Sequence, residues 1–422
     1  MFDLPEKYLE NYKEMNIWYL SAYDQPRGQS ARTYVFSMEL AKRGHQVTMF
    51  TNSYCHWTHT EKLADGEKWR VENIDGVRVV WLKTVHYSGN GIKRGLNMLS
   101  NACRSLQVAR IFADTPDVVI GPSVPLFTGM AARMIASIKK AAFVFEVRDV
   151  WPQALVDLGY MKKSSPVYCL FRFMEKYLYR KATRISAVLP ITCLHVEKSG
   201  QNPEKVSWIP NGVNIDRFKN LPPYDGGKPD GLVVMYVGGF AATHDVDSIV
   251  KTAQILSSEN ITSVMFIIAG QGPGKANCMS EAVRLGLKNI VFHDPVPKNL
   301  VPEFQLQADV FIASVKDSPV YQFGINSNKI YDYFSSGRPV IFSGNAPNDP
   351  VRESGCGYSI PPENPAAMAD ALKKYIELTP DQRIAMGRRG REWVEKYFNM
   401  EMLGERMETL LKQAVEEKEK GK

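Results

Sequence analysis

Lys329 and Asp332 stand three residues apart in the run Asn326-Ser327-Asn328-Lys329-Ile330-Tyr331-Asp332-Tyr333-Phe334. On a helix that spacing puts both side chains on one face within the first turns. Asn326 to Asn328 can cap such a helix. A lysine here can compensate a diphosphate, and a carboxylate one turn deeper can accept both hydroxyls of a ribose. A fixed positive charge beside a departing nucleotide diphosphate stabilises the leaving group. The ordinary alternative is a surface ion pair between the two.

Two glycine turns precede this run. The strand-like segment LVVMYVGG ends at Gly238-Gly239-Phe240, before a helix starting near Asp245. Gly238 and Gly239 allow a backbone to approach a phosphate, and helix N–H groups complete an anion site. A plain tight turn is the alternative. The second loop, Gly270-Gln271-Gly272-Pro273-Gly274-Lys275, follows SVMFIIA. It fails the P-loop spacing, because Ala269 stands where the first glycine belongs and Ala276 where the Ser/Thr belongs. ATP or GTP hydrolysis loses its main support.

In the first half, Glu146, Arg148 and Asp149 end the otherwise apolar run AFVFEVRD. Charge at that place is either a helix cap with a salt bridge or a functional group facing a crevice, and Asp149 is the stronger functional candidate. Gly28, in Asp24-Gln25-Pro26-Arg27-Gly28-Gln29-Ser30, can approach a diphosphate from another wall. It is not part of a GxGxxG, and no acid ends the next strand, which disfavours a nicotinamide dehydrogenase. His56 and His59 of Cys55-His56-Trp57-Thr58-His59 sit in an expected loop without a further ligand. Asp245 and Asp247 open a helix, where Asp caps and complements the dipole. No metal site is expected.

These residues need strands to end beside them, and the pattern supplies two sets. From Asn16 to Pro210 the runs NIWYLSAY, HQVTMFT, VRVVWLKTV, DVVIGPS, AFVFEVRD, ISAVLP and VSWIP alternate with helical segments, residues 53 to 75 reading as irregular. Near-continuous apolar strands separated by helices predict a parallel sheet covered on both faces. NLPPYDGGKPDG, residues 220 to 231, reads as a linker. The pattern restarts with LVVMYVGG, SVMFIIAG, NIVFHD, DVFIASVK, RPVIFSG and GYSIPP. The predicted layout is a first domain over 1–219, a linker over 220–231, a second domain over 232–399 and a helical tail over 400–422. That tail is apolar on one face and either docks back on the first domain or finishes the second. Two doubly wound α/β units would present their strand ends to a shared cleft, where ligands bind.

Bulk properties agree with a globular enzyme. The 422 residues are 44% hydrophobic and 23% charged, enough for more than one core. Six cysteines without CxxC spacing argue against a disulfide framework and for a reducing compartment. The first fourteen residues, with Asp3, Glu6, Glu10 and Glu14, carry no apolar signal region, and no stretch is long enough to span a membrane. The net charge of +7 is unevenly spread. Residues 89–113 hold Lys93, Arg94, Arg104 and Arg110 without an acid, and 161–184 hold seven cations against Glu175. Both are either crossover helices with a wet basic face or amphipathic helices for an anionic membrane. Without a zinc finger or aromatic-basic repeat, nucleic acid is not expected as a partner.

Taken in order, LAKRGHQVTMFT, PDVVIGPSVPLFTG, FEVRDVWPQALVDLG, VSWIPNGVNIDRF, AGQGPGK and NKIYDYFSSGRPVI resemble the retaining GT-B glycosyltransferases of the group 1 family. The likeness is greatest to bacterial polysaccharide and O-antigen enzymes that transfer N-acetylated amino sugars. The resemblance covers roughly residues 15 to 400. It implies paired Rossmann-like domains, a UDP-sugar donor held mainly by the second, an acceptor approaching the first, and chemistry without metal or tightly bound cofactor. Asp332 matches the family's ribose-holding acid, whereas Gly324 replaces its first acidic position. The basic pair that many relatives carry after the first strand of the second domain is missing, so Lys329, His244 and backbone amides become the diphosphate candidates. Asn328 is among the expected nucleotide-binding residues, and the base is expected near Phe292 to Val296. Asp149 and Lys329 are the expected catalytic residues. The acceptor is expected to be a saccharide or a polyprenyl-diphosphate-linked sugar in the cytoplasm. The lipid-linked one would put the enzyme peripherally on the inner face of the plasma membrane, and a soluble saccharide becomes preferable if no lipid is bound. A nucleotide-sugar epimerase and a non-catalytic nucleotide-sugar-binding protein are the alternatives, and oligomeric state is not legible.

Overall fold

The computed structural model describes residues 14–28, 32–89, 91–227 and 231–421. The acidic N-terminal segment up to Lys13, Gln29 to Ala31 of the first loop, and Lys228 to Asp230 of the linker lie outside the described residues. The chain divides into two compact units, Met1–Ile209 with Gly404–Lys422, and Pro210–Leu403.

The strands of unit 1 are β1 (Asn16–Leu20), β2 (Gln46–Asn52), β3 (Trp69–Ile74), β4 (Val77–Leu82), β5 (Val118–Pro122), β6 (Ala142–Val147), β7 (Arg184–Ala187) and β8 (Val206–Trp208). They form one sheet in the order β3-β4-β2-β1-β5-β6-β7-β8. All neighbours are parallel except β3 with β4. Helices α1 (Arg32–Lys42), α2 (Ile92–Ile111), α3 (Leu126–Lys139), α4 (Gln153–Asp157), α5 (Pro166–Lys181) and α6 (Thr192–Lys198) connect them. Every residue of β5 and β6 is buried, which is why their sequences read as continuous apolar runs rather than alternating ones.

β3 corrects the reading of 53 to 75 as irregular. Its sequence WRVENI alternates in burial and joins β4 through Asp75-Gly76, both at positive φ, 51° and 81°. Asp-Gly between alternating runs is the signature of a two-residue hairpin turn. The open face of β3 carries Val71 and Asn73, and Arg70 and Glu72 share the half-covered face with Ile74, so the segment lacks the apolar alternation that marks a strand in sequence.

Unit 2 contains β9 (Leu232–Val237), β10 (Val264–Ala269), β11 (Ile290–His293), β12 (Val310–Ser314), β13 (Val340–Ser343) and β14 (Gly357–Ile360). They pair in parallel in the order β11-β10-β9-β12-β13-β14. Its helices are α7 (Val246–Ser258), α8 (Lys275–Arg284), α9 (Val301–Gln305), α10 (Asn328–Ser335), α11 (Pro350–Ser354), α12 (Pro365–Ile376) and α13 (Pro380–Tyr397). One apolar cluster lies under α7, α8 and α12, a second under α10 and α13.

The division falls at Ile209 and Pro210, ahead of the proline-rich stretch read as a linker. Tyr224 within that stretch is buried, with its hydroxyl 3.0 Å from that of Tyr375, and Arg383 donates to the carbonyl of Gly226. Residues 220–227 are therefore anchored in unit 2. The tail is α14 (Met400–Lys420), which from Gly404 belongs to unit 1. There Met407, Leu410, Leu411 and Ala414 are buried. Glu408 pairs with Arg43 at 3.3 Å, and Glu417 with Arg184. Docking on the first domain is thus the outcome for most of this helix.

Candidate active site

At the carboxyl end of unit 2's sheet, three segments converge. α10 buries Ile330, Tyr331, Tyr333 and Phe334. The Tyr333 hydroxyl accepts from the Val237 N–H at 2.8 Å and donates to the Val237 carbonyl at 3.0 Å, while its ring stacks on Phe311 with centroids 4.2 Å apart. These contacts pin the helix against the end of β9 and leave Lys329 and Asp332 half-buried on the opposite stripe.

The Lys329 ammonium donates to the Tyr236 hydroxyl at 2.9 Å and lies 4.5 Å from the centre of that ring. Gly238 makes the room: a Cβ there would be 2.9 Å from Lys329 Nζ. Among the described residues no carboxylate pairs with this lysine. Desolvation alone draws its pKa down to about 7, since burial disfavours the charged form. α10 also starts without a side-chain cap, Ser327 holding the cap position. The expected capping by Asn326 is not made, because its side-chain oxygen accepts instead from Asn211 N–H at 3.2 Å and Tyr331 O–H at 2.9 Å. The start of α10 thus leaves helix N–H groups without a side-chain acceptor beside a lysine without a carboxylate.

His244 belongs to the same cluster, its Nδ1 2.6 Å from the Gly239 carbonyl. A carbonyl only accepts, so Nδ1 carries the proton and Nε2 the lone pair. Desolvation first, then the Lys329 charge, pull its pKa down to about 4. At neutral pH His244 is an uncharged acceptor, which suits a hydroxyl better than the diphosphate first expected.

Gly270 and Gly272 sit in the next loop at φ 147° and 146°. A Cβ on Gly270 would be 1.8 Å from the Gly238 carbonyl oxygen, and one on Gly272 2.8 Å from the Phe240 backbone. Their glycine requirement comes from one loop lying on the other rather than from a phosphate. Lys275 bonds the His293 carbonyl at 2.7 Å and Asp294 at 3.3 Å, so it braces the loop. Phe292 packs against the core, and the residue that β11 exposes at its end is His293.

Asp332 accepts from Arg217 at 3.1 Å, and Arg217 also donates to the Lys298 carbonyl at 2.9 Å. Desolvation raises the Asp332 pKa against the opposing Arg217 charge. The surface-pair alternative for Lys329 and Asp332 is replaced by this longer-range pairing. Arg217 and Tyr236 were not read from sequence as site residues: Arg217 comes from a short helical turn 115 residues away, and Tyr236 looks like any strand tyrosine. Gly324, in the family's acidic position, is buried at φ 114°, a conformation that favours glycine. Asn328 is exposed at the first position of α10. Asp245 caps α7 through Ser248 N–H at 3.2 Å.

Gly28 and Asp149 lie in unit 1, at the ends of β1 and β6. Glu146 is fully buried between Arg32 at 2.8 Å and Arg148 at 2.7 Å, with the Tyr19 hydroxyl donating to it. Burial opposes its ionisation, but Arg148 and Arg32 outweigh burial and hold its pKa low. Arg148 continues to Asp24 at 2.8 Å, which accepts from the Thr33 N–H and hydroxyl, both at 2.8 Å. This network is the salt-bridge alternative realised, and removing one partner would strand a buried charge at a cost of about 3–5 kcal/mol. Asp149 escapes it. Its backbone carbonyl accepts from Ser123 at 2.9 Å, its side chain is exposed, and desolvation by the surrounding protein raises its pKa. Gly28 closes a tight turn, its N–H bonding the Gln25 carbonyl at 3.0 Å.

Residues 27–212 match the family described as glycosyl transferase 4-like domain, and residues 231–377 the family described as glycosyl transferases group 1. The chain is a glycosyltransferase. This glycosyltransferase is similar to the putative colanic acid biosynthesis glycosyl transferase WcaI of Escherichia coli K12, 23% identical over 86% of this chain and 90% of that protein. Its fold is similar to that of sucrose-phosphate synthase from Thermosynechococcus elongatus, with a TM-score of 0.71, 16% identity, and 95% and 99% of the two chains covered. It is likewise similar to Anabaena HepE in complex with UDP and glucose, with a TM-score of 0.66, 13% identity, and 94% and 100% covered. The glycosyltransferase has the GT-B fold, two Rossmann-like parallel-sheet units.

Proposed function

We propose that this glycosyltransferase moves a sugar, an N-acetylated hexosamine or deoxyhexosamine, from a UDP-sugar to a saccharide carried on polyprenyl diphosphate, with retention of anomeric configuration. The observation that carries the donor half is Lys329, a cation with no carboxylate partner among the described residues, beside the uncapped start of α10. It offers a diphosphate the charge and N–H groups that leaving-group departure requires.

In the reaction, the acceptor hydroxyl oxygen bonds to the anomeric carbon on the face from which the nucleotide leaves. The bond from that carbon to the β-phosphate oxygen breaks, and a phosphate oxygen takes the hydroxyl proton. Lys329 neutralises the released charge, Asp332 with Arg217 holds the ribose, and the Nε2 lone pair of His244 accepts a donor-sugar hydroxyl. Asp149 orients the attacking hydroxyl. Each step proceeds without a metal ion.

The membrane reading draws on unit 1. Val167, Leu170 and Phe173 are exposed at three-residue spacing on α5, and Ile92, Leu96 and Leu99 on α2. Lys162, Lys163, Lys176, Arg180 and Lys181 flank the first group. Apolar side chains rimmed by cations suit an anionic bilayer face and support the reading of a cytoplasmic enzyme that works beside a lipid-linked acceptor. Incubation with a panel of UDP-sugars and polyprenyl-diphosphate-linked saccharides, read by mass, is expected to yield UDP and an extended lipid-linked glycan. An epimerised sugar nucleotide, or binding without either product, would overturn the assignment.

A further inference from the structure

The histidine-rich loop discounted as a metal site has no role in the chemistry above, yet it is built with care. Loops 53–62 and 83–89 follow β2 and β4, and Tyr23 follows β1. β4, β2 and β1 are neighbours in the sheet, so these segments share its carboxyl edge. That edge also carries Asp149 at the end of β6.

Tyr54 and Tyr87 are buried and form a floor, ring centroids 5.6 Å apart. His86 stacks on Tyr54 at 4.6 Å, and His56 stacks on Tyr87 at 5.7 Å. Tyr23 lies 5.3 Å from His56. The Tyr54 hydroxyl donates to the Tyr87 carbonyl at 2.6 Å, so His59 donates its Nδ1–H to that hydroxyl at 2.9 Å. His56 Nδ1 is 2.5 Å from the Tyr87 hydroxyl, and His86 is held by Glu61 at 2.7 Å. The imidazoles are thus committed to phenol, carbonyl or carboxylate. Trp57 sits on this frame with its ring 4.8 Å from His56, and it is 51% exposed.

An indole half open to water on a braced aromatic frame is a stacking face. The C–H bonds on one side of a pyranose pack on such a face, and the sugar's hydroxyls meet polar groups around its rim, here Thr58, Thr60 and Glu61. We propose that Trp57 and the loops around it form a saccharide subsite for the part of the acceptor remote from the attacking hydroxyl. This rests on the reading of unit 1 as the acceptor half. Adjacent strands are about 4.8 Å apart, and β2 is three positions from β6, so the platform lies on the order of 14 Å along the edge from Asp149. That reach exceeds one monosaccharide. The subsite therefore selects an acceptor of at least two sugars.

Saturation-transfer NMR on the full chain tests this with methyl hexopyranosides of glucose, galactose, N-acetylglucosamine and fucose, and the disaccharides built from them. The wild type is expected to transfer saturation to ring-face protons, favouring disaccharides. Trp57→Ala is expected to weaken that binding about tenfold, with UDP affinity and melting temperature unchanged, and Trp57→Phe to retain most of it. Wild-type silence toward every saccharide, or equal binding by Trp57→Ala, overturns the subsite. Absence of UDP binding by the wild type would instead remove the UDP-sugar donor of the proposed function and leave the subsite to be judged by the saccharide signals alone.

Discussion

The amine of Lys329 is held uncharged or charged by a narrow margin. With no ligand, burial brings its pKa to about 7, whereas a bound diphosphate favours the protonated form and raises it. Between the free and bound values, binding takes up a proton. UDP affinity is therefore expected to be greatest near pH 7 and to fall toward about tenfold per pH unit above it. Calorimetric titration at pH 7, 8 and 9 reads both the affinity and the proton uptake. Lys329→Met should be weaker and flat over the same range, and a flat wild-type profile would contradict the assignment. The lysine was legible from its three-residue spacing to Asp332 inside an apolar helix. Tyr236 and Arg217 were not, because a hydroxyl at the end of a strand and a guanidinium in a distant turn acquire meaning only when α10 is packed beside them. His244 shows the same limit: sequence placed it near the loop, but its tautomer depends on the Gly239 carbonyl.

At the scale of elements, the interlocked loops after β9 and β10 set the site's floor. Gly270→Ala forces a side chain into the Gly238 carbonyl at a φ of 147°. It is expected to destabilise unit 2 by about 3 kcal/mol and to weaken UDP binding with it. Unchanged thermal melting would show that the two loops do not depend on each other in this way. Two glycines in a turn suggested phosphate contact from sequence, because the identity of the partner crowding a glycine is invisible there. β3 was missed for a related reason: WRVENI has only a half-buried face and needs β4 to complete it. The buried strands were easier, since β5 and β6 bury both faces and leave an apolar record in which Glu146 is the one charged residue. Glu146 lay in plain view at the end of one such strand, but only the folded network with Arg32 and Arg148 shows that it is spent on stability.

For the molecule as a whole, the alternation of apolar runs and helices made two α/β units legible. Their division was less so, because proline and glycine mark turns as readily as linkers, and Tyr224 anchors that stretch in unit 2. The apolar stripe of α14 announced a surface to cover without naming it; Arg43 and Arg184 supply the answer through ion pairs with Glu408 and Glu417. The protein transfers a glycosyl group, and the role proposed for Lys329 is to stabilise the departing nucleotide. The most direct measurement is steady-state transfer by Lys329→Met, from a UDP-sugar that the wild type uses to a lipid-linked acceptor. Turnover is expected to fall about 100- to 1,000-fold, with the melting temperature retained and the product still an extended glycan at wild-type configuration. Wild-type turnover by that variant would contradict the account.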